Sequence, residues 1–210
     1  MTFAMPAQLP LFPLGGTILL PGEILPLNVF EPRYLNMVDD AMAGDRMIGV
    51  VQTAGGGPAD LPALEAIGTA GIITEHSETS DGRYMIVLQG LSRFRLVSEL
   101  DSLTPYRVGI ADFTGFPDDR AEPDTLLTAD RDQLISLLQL WFAHEHVETD
   151  WDSIAAAPLA RVVDRMAMAA PFSGEERQSL LEAQTGLQRL RVMTHILKNR
   201  IAEGASGRPN

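Results

Sequence analysis

Between Leu9 and Tyr34 short apolar runs alternate with prolines and glycines: LPLFPLGGTILLPGEILPLNVFEPRY. Pro10, Pro13, Pro21, Pro26 and Pro32 all fall inside it. Proline lacks a backbone N–H and fixes φ, so no long central strand survives here. The pattern predicts short strands that turn often, at Leu11–Leu14, Thr17–Leu20 and Leu25–Phe30. Pro21-Gly22 predicts the sharpest turn, with proline setting φ and glycine free to take a positive one. Glu31-Pro32 predicts a helix start, because proline is favoured at the first helical position. Tyr34, Leu35, Val38, Ala41 and Met42 then recur at helical spacing.

Strand patterning continues to Pro117. Met47–Thr53 and Ile67–His76 read as strands, with Ala54–Pro62 as a flexible loop between them. Glu78–Gly82 reads as a hairpin turn around Asp81-Gly82. In Arg83–Leu88, Tyr84, Ile86 and Leu88 share one face while Met85, Val87 and Gln89 share the other. Gly90 predicts a bend before Ser92–Val97 resumes, and Tyr106–Phe113 alternates again. Phe116–Pro123 reads as a linker, after which the period becomes helical. Thr125–Val147 places Leu127, Leu134, Leu137, Leu138 and Trp141 on one stripe. Ser153–Ala169 turns Leu159, Val162, Val163 and Met166 inward, with Pro158 marking where its ordered part begins. Ser173-Gly174-Glu175-Glu176 is a capping box, and Thr185–Gln188 repeats the device before a last amphipathic helix through Leu187, Leu190, Thr194, Leu197 and Ile201. The expected fold is α+β: a bent, partly closed sheet of short strands (a pseudo-barrel) over 1–117, then a bundle of about four helices over 118–203 whose last member is long. Residues 204–210, GASGRPN, are expected to be disordered.

The opening stretch closely resembles the start of the Lon N-terminal domain family, which carries a pattern like LPLFPL…L.PG..LPL.IFEPRY. Ile67-Gly68 leading to Asp81-Gly82-Arg83-Tyr84 and then Gly90–Arg95 is a second point of resemblance. Phe172–Glu176 followed by two helices ending in Leu197 is a third. The resemblance runs from Leu9 to Ile201, nearly the whole chain. It implies a module that recognises proteins, in particular unfolded or exposed apolar segments.

Charge narrows the choice of partners. The net charge is −12, from 6 basic against 13 acidic residues up to Pro117 (−7) and 10 against 15 beyond it (−5). Neither half offers the clustered Lys and Arg that nucleic-acid phosphates require, and an acidic surface disfavours anionic membranes. No cysteine is present, which removes disulfides, thiolate nucleophiles and cysteine-ligated zinc. The N-terminus, MTFAMPAQLPLF, carries no positive charge and no unbroken apolar run, and no stretch reaches the ~20 apolar residues of a membrane span. A cytoplasmic protein is expected.

Catalytic parts are scarce. Lys198 is the single lysine and Asn199 follows it, so there is no Walker A loop and no counterpart of the AAA+ motor of full-length Lon. The Lon peptidase resembles a Ser-Lys dyad, and Lys198 has no matching serine motif; it reads as a solvated lysine on the last helix. His144 and His146 lie about 200° apart on a helix, too divergent to ligate one metal. They suit a helix C-terminus instead. His76 has no paired ligand, and His195 lies among arginines. Asp39-Asp40 and Asp118-Asp119 are adjacent, so their side chains diverge and solvated surface is the simpler reading. Gly55-Gly56-Gly57 lacks the helix start and cation of a phosphate loop. No enzyme, metal or cofactor is expected.

Four residues are candidates for polypeptide contact: Arg33, Tyr34, Arg93 and Arg95. Arg33 and Tyr34 either face a ligand at the helix start or anchor and pack the chain there. Arg93 and Arg95 flank Phe94 on one strand face and either bind an acidic segment or pair with local carboxylates. The leading expectation is a non-catalytic binding module using strand edges or an apolar groove. The alternatives are an adaptor or regulator docking on a separate ATP-dependent protease or other complex, and a hydrolase with an unrecognised site.

Overall fold

The prolines between Leu9 and Pro32 leave two strands before the first helix. In the computed structural model, which describes residues 5–58, 61–120, 128–146 and 148–206, these are β1 (Gln8–Pro13) and β2 (Ile24–Val29). The strand expected at Thr17–Leu20 does not form. Ile18, Leu19 and Leu20 are buried, but the carbonyls of Leu19 and Leu20 are engaged elsewhere. The Thr69 hydroxyl donates to the Leu19 carbonyl at 2.5 Å. The Glu23 N–H donates to the Leu20 carbonyl at 3.1 Å, closing the Pro21-Gly22 turn with Gly22 at φ 77°. Carbonyls held by a side chain and a turn do not join a ladder.

Helix α1 (Pro32–Ala43) starts as expected, with Glu31 extended at the N-cap and Pro32 in the first turn. It buries Tyr34, Met37, Val38 and Ala41. Four strands follow: β3 (Met47–Thr53), β4 (Leu64–Glu78), β5 (Tyr84–Leu100) and β6 (Val108–Asp112). The sheet order is β2-β5-β4-β3-β1-β6, and β6 also pairs with β5. Five strands therefore close into a ring, while β2 hangs outside it on β5 alone. The 17 residues of β5 make this possible: Tyr84–Gln89 pair with β2 and Arg95–Leu100 with β6. Register shifts at Ala70/Gly71 and Leu96/Ser98 supply the bending. The bent, partly closed sheet is as the sequence predicts, a mixed sheet rather than an even barrel, with β1–β3 its parallel pair. Leu9, Leu11, Met47, Val51, Ala70, Phe94 and Ala111 form the core of the ring. β5 stays one strand through Gly90, but its register against β4 shifts where the sequence predicts a bend, with Ser92 opposite Ala70 and Gly71 opposite Gly90. A Cβ there would overlap the Leu20 carbonyl oxygen, and its absence lets Gly90 exchange backbone hydrogen bonds with Gly22 and Glu23, both 2.9 Å.

The expected linker begins as a buried corner, with Phe116 inside and a 3₁₀ turn at Pro117–Arg120. Its remainder, 121–123, lies outside the described residues, as do Thr125 and Leu127 of the next expected helix. Five helices follow Pro117 among the described residues, more than the four expected: α2 (Thr128–Glu145), α3 (Trp151–Ala156), α4 (Leu159–Ala169), α5 (Gly174–Glu182) and α6 (Gly186–Ser206). Pro158 accounts for the extra one. It forces Ala157 to extended backbone, φ −73° and ψ 150°, and splits one expected helix into α3 and α4. Asp150 caps α3 by accepting from the N–H groups of Asp152 and Ser153, both 3.1 Å. Arg131 donates to the Ala155 and Ala157 carbonyls, fixing the break. The capping box before α5 forms reciprocally, Ser173 N–H to Glu176 Oε2 at 2.7 Å and Glu176 N–H to Ser173 Oγ at 3.2 Å. Gly204–Ser206, expected in the tail, continue α6, and 207–210 lie outside the described residues.

By contacts the chain divides into two compact units, Met1–Ala121 with Ser173–Leu181, and Glu122–Phe172 with Glu182–Asn210. Most of α5 therefore groups with the strands. In the second unit Leu134, Leu138, Trp141, Val162, Val163, Leu190, Met193 and Leu197 are buried. There Trp141 stacks on Phe172 with centroids 5.2 Å apart and planes 5° apart. Arg189 pairs with Asp164 at 2.7 Å.

Candidate functional site

The four candidate residues fall into separate clusters. At the start of α1, Arg33 pairs with Glu31 at 2.8 Å and lies 4.6 Å from the Tyr34 ring centroid. Tyr34 is buried against Phe12, with centroids 4.6 Å apart, and burial pushes its phenol pKa up. Arg33 is thus held by a neighbour two residues away, with its side chain 42% exposed, while Tyr34 packs. Arg93 is only 2% exposed. It grips the Asp119 carboxylate with Nε at 2.9 Å and Nη2 at 2.6 Å, donates from Nη1 to the Leu181 carbonyl at 2.8 Å, and lies 4.4 Å from the Phe116 ring centroid. A guanidinium so enclosed is structural, which corrects its assignment to polypeptide contact and the reading of Asp119 as solvated. Arg95 is exposed and stands opposite Asp112 in register.

Several other polar groups make hydrogen bonds at or just below the surface. Asp39 and Asp40 are exposed, as the sequence predicts, and each accepts from a tyrosine: Tyr84 at 2.9 Å and Tyr106 at 2.6 Å. Burial first, and the bond to Asp40 second, push the Tyr106 pKa up to about 12. His195 and Asn199 share a hydrogen bond of 3.1 Å along α6. Among the described residues no group of three or more His, Cys, Asp or Glu is placed to hold a metal. No described helix is long and apolar enough to cross a membrane.

What sequence reasoning missed is the outer face of β2 and β5. Ile24, Phe30 and Met85 are large apolar side chains with 61%, 62% and 43% of their surface exposed. Register aligns the residues of this face in rows. Pro26 stands beside Val87, which stands beside Glu75; Asn28 stands beside Met85, which stands beside Ser77. Residues in such rows share a face. The opposite face carries Leu25, Leu27, Val29, Ile86 and Leu88, with Val29, Ile86 and Leu88 buried. A usable signal was present in the sequence. An antiparallel strand with one solvated face alternates apolar with polar, yet Met85–Leu88 is apolar on both faces and Ile24–Val29 is so but for Asn28.

The backbone beside this face is open. Gly90 N–H donates to the Glu23 carbonyl, so Ile24 and Gln89 form a non-hydrogen-bonded pair. Alternation then directs the backbone groups of Leu25, Leu27 and Val29 to β5 and those of Ile24, Pro26 and Asn28 away from it. Among the described residues no strand pairs there. Pro26, which has no N–H, occupies one of the outward positions, where a sheet tolerates proline.

This ring with an appended edge strand has counterparts among known proteins. A Lon N-terminal domain protein from Xanthomonas campestris has a crystal structure that superimposes with a TM-score of 0.63 at 29% identity, covering 88% of this chain and 95% of that one. The N-terminal domain of Lon protease from the Mycobacterium avium complex gives a TM-score of 0.64 over 91% and 98%, and at 16% identity it speaks for the fold alone. Lon protease of Syntrophus aciditrophicus is 27% identical over 95% of this chain, and Lon protease 2 of Myxococcus xanthus 36% identical over 49%. The chain spans 26% and 12% of those two enzymes. The sequence profile of the ATP-dependent protease La (LON) substrate-binding domain matches residues 8–199, and the chain belongs to that family.

Proposed function

We propose that this protein is a non-catalytic binding module for polypeptides, taking unfolded or exposed apolar segments. The family match over residues 8–199 carries this reading. The exposed apolar group of Ile24, Phe30 and Met85 supports it, since side chains of this kind suit loose recognition and methionine repacks around different partners. The titratable groups point the same way. Arg93, Asp119, Asp39 and Asp40 are each engaged in a structural contact. Activity on a peptide bond would need a nucleophile and a base within reach of each other. The cysteine-free sequence suits the reducing cytoplasm.

The test is a titration of the labelled protein with a reduced, carboxymethylated model protein that stays unfolded, beside the same model protein native. Saturable binding of the unfolded form only is the expected result. Absence of saturable binding up to high micromolar concentration overturns it. A protein that ignores the unfolded chain but co-purifies with an ATP-dependent protease acts as an adaptor instead.

A further inference from the structure

We infer that β2 accepts an extended polypeptide segment as an added strand, and that the preferred segment is apolar at alternate residues and carries Lys or Arg. This rests on the reading of the chain as a polypeptide-binding module and adds where and how it binds. The outward backbone groups of Ile24 and Asn28 offer two donors and two acceptors, and Pro26 adds a carbonyl between them. Main-chain pairing of this kind holds any extended sequence, while the flanking side chains select among them. Side chains of the added strand would continue the rows that run from Ile24, Pro26 and Asn28 onto Met85 and Val87.

Charge selects the occupant. Two cations at this end of the sheet are already neutralised, Arg33 by Glu31 at 2.8 Å and Arg83 by Asp81 at 2.9 Å, while Arg46 lies on the far side of β4 from β5, its carbonyl accepting from the Ile73 N–H. Glu75 and Glu78 are exposed, and neither has an ion-pair partner among the described residues. Glu75 stands two strands from the open edge, in the row of Pro26 and Val87. An apolar face with a free acidic rim, on a chain of net charge −12, attracts basic segments and repels a second copy of itself. Pro26 also counts against a second copy. Two β2 strands meeting antiparallel about their centres would set Pro26 against Pro26, so both central N–H···O bonds would be lost. A foreign segment loses only one.

The test uses the full chain and fluorescent peptides of about ten residues, long enough to span a strand. They have alternating valine and threonine, with lysine or with glutamate near both ends. A further lysine peptide is N-methylated at alternate residues, in both phases. The lysine peptide is expected to bind saturably and the glutamate peptide weakly. N-methylation in one phase, and Asn28→Pro on the protein, should each weaken binding about tenfold or more. Glu75→Lys should reverse the charge preference, and Leu140→Lys, at an exposed apolar site on α2, should change nothing. The N-methylated peptides keep the test valid if Asn28→Pro lowers the melting temperature. If the unfolded model protein binds but binding ignores N-methylation and Asn28→Pro, the docking mode is wrong and the polypeptide-binding reading stands. If neither probe binds, both fall. Sedimentation that shows a dimer dissolved by Asn28→Pro would make a second copy the occupant and overturn the proposal.

Discussion

Gln52 on β3 donates from Nε2 to Oε1 of Gln178 on α5 at 2.9 Å, although 126 residues of sequence separate them. The same Gln52 nitrogen also donates to the Gly174 carbonyl at 3.1 Å, and Gln178 Nε2 donates to the Ile67 carbonyl at 3.2 Å. Both side chains are buried. This network accounts for the grouping of Ser173–Leu181 with the strands.

Gln178→Leu is expected to destabilise the protein by about 1–3 kcal/mol, because it removes one of the two acceptors of the buried Gln52 amide and the side-chain donor to the Ile67 carbonyl. Gln52→Leu should cost a similar amount. The double variant should lose less than the two single losses combined, by about 1 kcal/mol, since the bond between the two amides is lost only once. Urea denaturation of the four proteins measures this coupling; additive losses would mean that the two amides do not depend on each other.

Arg93 and Asp119 form the second buried tie, with side chains 3% and 6% exposed. Asp119→Ala leaves a desolvated guanidinium and should cost about 3–5 kcal/mol. Arg95→Ala, on the exposed neighbour two residues along, should change stability by less than about 0.5 kcal/mol. Equal effects in thermal melts would contradict the burial contrast between two arginines that look equivalent in the sequence.

That equivalence shows what was legible and what was not. Alternation in Arg83–Leu88, the Pro21-Gly22 turn, the Pro32 helix start and the Ser173–Glu176 capping box are local features, and each appears where its residues predict it. Ring closure through β5 and β6 depends on pairing between distant residues, which periodicity does not encode. The same holds for the partners of Arg93, Asp39 and Asp40. A charged side chain reads as surface until the chain that neutralises it is placed beside it. Thr17–Leu20 misled for a related reason, since an apolar run records burial but not whether its carbonyls join a ladder. The open face of β2 was legible in principle, because Ile24 and Met85 lie on strand faces that would be polar if only water met them.

Gly90→Ala should be among the most damaging single-methyl changes. The added Cβ would overlap the Leu20 carbonyl oxygen, which belongs to backbone and is held in the Pro21-Gly22 turn. A loss of more than about 2 kcal/mol is expected. Gly55→Ala, where an added Cβ meets nothing within 4 Å, serves as the control and should fall within about 0.5 kcal/mol of wild type. Comparable denaturation midpoints for the two variants would rule out the close approach of the turn to β5.

Alkaline unfolding should report on the three tyrosines, all of which have raised pKa values. Tyr106 shows the largest effect: burial and its bond to Asp40 at 2.6 Å carry it from 10.0 to about 12. The protonated phenol is the form the fold favours. Below the unfolded value of 10.0 both states hold the proton, and the stabilisation is complete. Between 10.0 and about 12 the unfolded chain releases a proton that the folded one keeps, so stability falls as pH rises through that window. Tyr106→Phe removes the hydrogen bond and should cost about 1 kcal/mol at neutral pH. It should also flatten the alkaline decline, leaving the part that belongs to Tyr34 and Tyr84. Denaturation at a series of pH values, paired with ultraviolet titration of tyrosinate, checks both. The highest-titrating phenol should vanish in Tyr106→Phe and persist in Tyr84→Phe. An unchanged alkaline slope in Tyr106→Phe would show that its bond to Asp40 does not link folding to the proton.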